Sequence, residues 1–225
     1  MSAIFVTATG TDIGKTFVAV GLIEELKRRS RDVAAIKPVL SGYEDWSAPA
    51  SDAARLLAAL ELPANEDEIR RIAPWRFRAP VAPDLAARRE GRAIDYDAMI
   101  AFCRAEAKAT AGVLLVEGIG GVMVPLDGRH TTLDWIAELR FPAVLVAGSY
   151  LGTISHTLTA LAALRQRRIA IAALVVSESE ESSVSLADNA ASIARFAGEV
   201  PVLALPRLSH GQNHAVFGAL ADLVK

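Results

Sequence analysis

The residues most able to do chemistry lie in a few short segments, and the first is ATGTDIGKT, Ala8–Thr16. Gly14-Lys15-Thr16 has the composition of the end of a phosphate-binding loop. Small residues let backbone N–H groups approach phosphate oxygens, and the start of the following helix adds positive partial charge. Lys15 has the reach for the β- and γ-phosphates, and the Thr16 hydroxyl can ligate Mg²⁺. A strict G-x-x-x-x-G-K-[ST] pattern would put glycine at position 9; Thr9 stands there and Gly10 follows, which leaves the backbone path over Thr9–Asp12 open.

A second lysine closes the segment IKPVLSG, Ile36–Gly42. At a strand end beside the phosphate loop, Lys37 could stabilise the charge that builds during phosphoryl transfer; the plain alternative is a surface lysine. Ser41-Gly42 reads as a turn or as a contact to a polar substrate. Asp52 reads either as a helix cap or as a magnesium ligand. Glu117 ends the apolar run VLLVE and precedes Gly118-Ile119-Gly120-Gly121. An acidic residue there has the place of a metal-linked carboxylate in P-loop proteins, and the glycines would let a substrate approach the backbone. At Gly152-Thr153-Ile154-Ser155 a helix start could receive an anion, or Thr153 or Ser155 could simply cap it.

The remaining candidates read as structural. His156 reads as a packed helix histidine, and His130, His210 and His214, without metal-ligand spacing, as loop or helix-end residues. The acidic run Ser177–Ser183 reads as a solvated loop. Trp46, Trp75 and Trp135 are scattered; Trp75 and Phe77 read as a wall over a substrate chain or as packing against the sheet. Cys103, the single cysteine, reads as a small buried hydrophobe and excludes an internal disulfide.

The elements that must position these residues alternate. Strands are predicted at Ala3–Thr7, Val33–Lys37, Val113–Glu117, Ala143–Ala147, Ile169–Val176 and Val202–Leu205. Helices are predicted at Thr16–Arg29, from Ser51 or Asp52 to Leu60, around Met99–Glu106, from Ile154 past Ala162, at Val184–Phe196 and at Ala215–Val224. Gly42–Pro49 and Pro63–Pro83 read as loops or short helices. Strands that are apolar throughout suit a parallel sheet covered on both faces. The expectation is α/β: one P-loop NTPase-type domain over residues 1–225, a doubly wound, mostly parallel sheet with helices on both faces, and the ligand at the strands' carboxyl ends. Among 225 residues 52% are hydrophobic and 22% charged, and the net charge of -2 supplies no basic surface for nucleic acid or an anionic membrane. No apolar run is long enough to span a bilayer and no signal peptide is evident, so a cytoplasmic location is expected.

Taken together, ATGTDIGKT, KPVLSG, SDA, VEGIGG and LGTISH, in this order from about Ile4 to Leu208, resemble the dethiobiotin synthetase family of P-loop ligases. The resemblance implies that the chain joins CO₂ to 7,8-diaminononanoate with ATP to give the cyclic urea dethiobiotin, ADP and phosphate, as a homodimer with substrate sites near the interface. It implies Thr11, Lys15 and Lys37 around the transferring phosphoryl group and Thr16, Asp52 and Glu117 holding Mg²⁺. ATP would also meet Asp12, Ile13, Gly14, Phe17, Gly118, Ile119 and Gly120, with the base beside Ser177, Pro206, Arg207 and Leu208. Ser41, Gly118, Gly121 and Thr153–Ser155 would meet the diamine or its carbamate.

The chain departs from the family at Ala8, where glycine is frequent, at Ser155, where relatives carry asparagine, and at Ser177, where an asparagine reads adenine. A serine has a shorter reach and one donor hydrogen, so weaker discrimination for adenine is expected, with CTP or GTP turned over comparably. The rival class is a P-loop ATPase switch of the partition or septum-site type, which would carry an extra lysine near Gly10 or Thr11; none is present. An amidating ligase of the cobalamin pathway would need a glutamine-hydrolysing domain for which the chain is too short. A relative acting on another amine shares every motif above.

Overall fold

The computed structural model describes residues 2–44, 51–180, 182–208 and 214–224. Trp46 and His210, and most of the expected loop Gly42–Pro49, lie outside the described residues.

Six strands build the main sheet: β1 (Ser2–Ala8), β2 (Val33–Ile36), β5 (Val113–Glu117), β6 (Ala143–Gly148), β7 (Ile171–Ser177) and β8 (Val202–Leu205). Their order is β2-β5-β1-β6-β7-β8, and every pairing is parallel. The reason is visible in the residues. β5 and β6 are buried at every position, so they can sit only in the middle of a sheet covered on both faces. Helices supply that cover. α1 (Lys15–Arg28) packs with α2 (Asp52–Ala59) and α9 (Ala215–Leu223), while α7 (Thr153–Gln166) packs with α8 (Leu186–Ala197). The fold is therefore the doubly wound α/β sheet expected, and parallel pairing brings all six strand ends to one edge.

Two parts depart from expectation. In the stretch after α2, α3 (Glu66–Ile72) is one of the short helices expected, but between it and α4 (Pro83–Arg89) lies a strand, β4 (Trp75–Phe77), which pairs in parallel with β3 (Val39–Ser41) as a separate two-stranded sheet. Beyond α5 (Tyr96–Ala109) and β5, α6 (Thr132–Leu139) starts with a capping box, in which Asp134 Oδ2 accepts from the Thr131 N–H at 2.8 Å. Trp135 on α6 is fully buried with its ring edge-on to Phe5 at 4.8 Å, so it is a core anchor under β1 and no stray residue.

α9 is latched to α1 by charge. Glu25 accepts from Arg28 and Arg29, and Arg29 reaches across to Asp222 and to the Gly218 carbonyl. Arg28 and the neighbouring cations hold the buried Glu25 carboxyl down at about 2. Among the described residues no helix is long and apolar enough to cross a membrane.

Candidate active site

The turn from β1 into α1 is shaped by Gly14, whose φ of 90° is left-handed; a Cβ there would stand 2.7 Å from Ser177 Oγ. Gly14 is the N-cap and no side chain caps the helix, so the first-turn N–H groups of α1 stay open to an incoming anion. Lys15 and Thr16 follow as its first two residues and are buried.

β2 and β5 are neighbours, and this brings Lys37 and Glu117 together across 80 residues of chain. Lys37 Nζ donates to Glu117 Oε1 at 2.7 Å and to the Gly118 carbonyl at 3.0 Å, and it lies 3.2 Å from Asp52 Oδ2. Thr16 Oγ1 donates to the same Glu117 oxygen at 2.7 Å. Glu117 and Lys37 are 1% and 2% exposed. Lys37 is thus no surface lysine. Asp52 is no helix cap either: Ser51 takes that position, its side chain accepting from the Ala54 N–H, and Asp52 turns to the lysine.

Charge at this cluster is tuned by burial and by neighbours. Burial opposes the Lys37 ammonium, but Glu117 and Asp52 outweigh it and hold its pKa above the ordinary lysine value. Burial, and then Lys37, push Lys15 below that value. Burial works against the Asp52 carboxylate, but Lys37, Thr16 and Lys15 hold its pKa below the usual range.

The oxygens here fit magnesium. Glu117 Oε2 is buried and has no hydrogen-bond partner among the described residues, and it lies on the carboxylate that Thr16 already meets. Two carboxylates and a hydroxyl are hard donors, and Mg²⁺ completes such a set with water and phosphate oxygens.

A cavity of about 610 Å³ opens over the cluster. Thr11, Asp12, Lys15, Thr16 and Phe17 from the phosphate loop line it, together with Lys37, Ser41, Asp52, Ile119 and Gly120. Leu40, Arg55 and Val124 also line it without having been singled out in the sequence, and Pro80–Pro83, the end of the stretch read as loops or short helices, forms an irregular wall as its two prolines suggest. Trp75 and Phe77 do not form it. Trp75 packs edge-on against Phe102 at 6.0 Å, and Phe77 is buried.

Beside Gly14 lies a second cavity of about 320 Å³. It is shared by Asp12, Ile13 and Phe17, by Ser177 to Glu180 and by Pro206, Arg207 and Leu208. The acidic run is therefore not merely a solvated loop: Glu178 Oε2 accepts from the Arg207 N–H at 2.8 Å and is part of the cavity wall.

Other expected residues sit apart from both cavities. A Cβ on Gly118 would meet Phe5 at 2.8 Å and one on Gly121 would meet the Thr9 carbonyl at 3.0 Å, so these glycines serve close packing within the chain. Thr153, Ile154 and Ser155 open α7 on the same sheet edge but line neither cavity. Neither Thr153 nor Ser155 caps that helix: Gly152, at φ 100°, is the N-cap, and the Thr153 hydroxyl donates to the Gly148 carbonyl. His156 is exposed, with Nδ1 2.9 Å from the Tyr150 hydroxyl, because the α7 face carrying it turns away from the sheet.

A parallel α/β sheet with a glycine-turned anion cradle, a buried lysine and an acidic strand end at one edge defines a P-loop nucleotide-binding protein. Residues 2–214 match the family model described as an AAA domain. The chain is 50% identical over 202 residues, 89% of this chain and 91% of the other, to the ATP-dependent dethiobiotin synthetase of Acidiphilium cryptum (strain JF-5). It is 49% identical over 224 residues, 99% and 94%, to that of Caulobacter sp. (strain K31). Among solved structures, the signal recognition particle 54 kDa protein of Aeropyrum pernix K1 in complex with GDP superposes with a TM-score of 0.51 at 14% identity, covering 99% of this chain and 46% of that one; this likeness concerns the fold. The chain belongs to the ATP-dependent dethiobiotin synthetase family.

Proposed function

We propose that this protein is the ATP-dependent ligase that converts 7,8-diaminononanoate and CO₂ to dethiobiotin. The observation that carries the reading is Lys37 buried between Glu117 and Asp52 in the cavity that Lys15 and Thr16 also line. Family membership favours this reading over a partition-type ATPase switch.

The lone pair of one amine adds to the carbon of CO₂ and a proton is released, giving a carbamate. A carbamate oxygen then takes the γ-phosphoryl group of ATP and ADP departs. The neighbouring amine attacks the carbamoyl carbon, phosphate leaves with the C–O electron pair, and the ring closes with loss of a second proton. Little covalent work falls to the protein; it positions the reactants and stabilises charge.

Gly14 and the residues around it, from Asp12 to Phe17, cradle the triphosphate. Lys15, Lys37 and Thr11 face the transferring phosphoryl group, and Lys37 keeps its charge there because Glu117 and Asp52 hold it. Thr16, Asp52 and Glu117 would hold Mg²⁺, which supplies neutralisation of phosphate charge. Ile119 and Gly120 border the nucleotide, while the Gly118 carbonyl holds Lys37. The base sits in the cavity between Ser177 and Pro206–Leu208. Ser41 meets the diamine, and the start of α7 at Thr153, Ile154 and Ser155, outside both cavities but on the same sheet edge, receives the carboxylate at the far end of its chain.

A homodimer is part of the proposal. Met123 and Leu151, 61% and 79% exposed, follow the Glu117 strand end and precede α7, and an apolar surface beside a site suits a subunit contact. A cytoplasmic location is also part of it, and an unpaired Cys103 suits a reducing compartment. Light scattering on the purified protein reads the oligomeric state.

The test incubates the protein with ATP, Mg²⁺, bicarbonate and 7,8-diaminononanoate and looks for dethiobiotin by mass, with Lys37→Ala and Glu117→Ala alongside. Product from the wild type that is lost in both variants supports the ligase and these roles. ATP hydrolysis without product overturns the substrate assignment.

A further inference from the structure

In the smaller cavity beside Gly14, three backbone donors of one wall are already used. The Glu178 N–H donates to the Leu205 carbonyl at 2.9 Å, the Ser179 N–H to Ser149 Oγ at 2.9 Å and the Arg207 N–H to Glu178 Oε2 at 2.8 Å. Position 206 is proline and has no N–H to give. The Arg207 guanidinium is paired with Glu180 at 3.2 Å. Against these used donors the wall also presents fixed carboxylate acceptors, Glu178 among them.

Glu178 is the acceptor best fixed in place. It is half-buried, and the Arg207 N–H pins one carboxylate oxygen while the other has no partner among the described residues. An ionised carboxylate accepts hydrogen bonds and cannot donate one. Ser177 does not take over this role: its hydroxyl packs against Gly14 at the base of the phosphate loop.

We propose that Glu178 determines nucleobase selection by accepting a hydrogen bond from the base's amino group, and that this wall leaves the ring nitrogen N7 unread. The inference rests on the nucleotide reading of this cavity given above. Adenine offers a donor at N6 and cytosine at N4, so both satisfy the carboxylate, whereas guanine carries the acceptor O6 in the place of adenine N6 and meets the carboxylate only by turning its C2 amino edge toward it. A purine without an amino group leaves the pinned carboxylate facing a base that cannot donate to it, and uracil has only its ring imide N–H. Sites built to bond a particular N–H reject analogues lacking it, because the buried partner is then left unpaired. The serine at position 177 accounts for the loss of an amide reader, and Glu178 accounts for the selectivity that remains.

The test compares ATP with purine riboside triphosphate, 7-deaza-ATP and UTP. Affinity is read by displacement of a ribose-labelled fluorescent ATP analogue and turnover by dethiobiotin formation. Purine riboside triphosphate and UTP are expected to bind about ten- to a hundredfold more weakly than ATP, the range of a hydrogen bond to a charged group, and 7-deaza-ATP to match ATP. Glu178→Gln still accepts from the Arg207 N–H through its carbonyl oxygen but turns an NH₂ toward the base, so the gap between ATP and purine riboside triphosphate should close. Equal affinity of ATP and purine riboside triphosphate in the wild type, a gap unchanged by Glu178→Gln, or a matching loss with 7-deaza-ATP each overturns the proposal. Displacement reads base selection without any product, so a protein that ranks nucleotides in this way yet forms no dethiobiotin refutes the ligase reading and leaves this one standing.

Discussion

Thr16 and Glu117, 101 residues apart, are joined by a buried hydrogen bond of 2.7 Å, and the same Glu117 oxygen accepts from Lys37. The phosphate-loop helix and the fifth strand are thereby locked through one buried carboxylate. Breaking a buried ion pair from one side strands the other charge and costs about 3–5 kcal/mol, whereas replacing both partners with neutral groups of similar volume is far milder. Glu117→Gln and Lys37→Met should each lower the thermal unfolding midpoint. The double variant should regain much of that loss, with strongly non-additive energies, while forming no product. Additive losses would mean that the two side chains act independently.

Gly14 stands between the phosphate loop and the smaller cavity, whose lining it shares with Ser177. A side chain there meets two penalties. The left-handed backbone costs a non-glycine residue about 1–2 kcal/mol, and the new Cβ would stand 2.7 Å from Ser177 Oγ. Gly14→Ala should weaken binding of a fluorescent ATP analogue by about tenfold or more, each factor of ten being about 1.4 kcal/mol. Adding Ser177→Gly removes the collision but not the backbone strain, so it should restore affinity only in part. Full restoration would show that the φ value of Gly14 is immaterial to binding.

How much of this was legible follows the range of each interaction. The β1–loop–α1 unit was readable because an apolar run, a glycine and an amphipathic helix are adjacent in the chain. The nature of Lys37 was not: its burial depends on β2 pairing with β5, an order that no local pattern contains. Asp52 was ambiguous because Ser51 and Asp52 can both cap a helix, and only the fold shows which residue is free to turn to the lysine. β3 and β4, three residues each, are too short to carry a periodic signal, and their paired residues, such as Val39 and Trp75, are 36 positions apart in the chain. α6 was readable in principle from Thr131 and Asp134, but its buried apolar residues also suit a strand or a loop cover. Glu178 looked like one more charge in an acidic run, since a hydrogen bond from the Arg207 backbone leaves no trace in composition.

Glu25 gives the fold a specific acid sensitivity. Its folded pKa is about 2, below the ordinary value of 4.5, chiefly because Arg28 donates to it. A depressed carboxyl pKa contributes stability that is complete above the unfolded value and is lost as pH falls through the folded one. The window is therefore about pH 4.5 down to about 2. Wild type should be more stable than Glu25→Gln at pH 7, and the difference should shrink as pH falls through that window, read by urea unfolding at several pH values. A difference independent of pH would place the effect in packing between α1 and α9 and remove charge from the account.

Cys103 tests whether the sheet's cover opens. It lies on α5 with its thiol fully buried, and burial pushes the thiol pKa up to about 12. The thiolate is the reactive form, so at pH 8 both the ionised fraction and access to reagent are very small. A colourless native protein on mixing with Ellman's reagent, followed by release of one equivalent of thiolate dye in urea, is the expected result. The labelling rate in dilute urea should track global unfolding, because α5 packs against β5 and α6 and cannot expose the thiol without leaving both. Labelling faster than global unfolding would identify α5 as a separately opening unit behind the strand that carries Glu117, and would make the metal-side carboxylate less rigid than its buried hydrogen bonds imply.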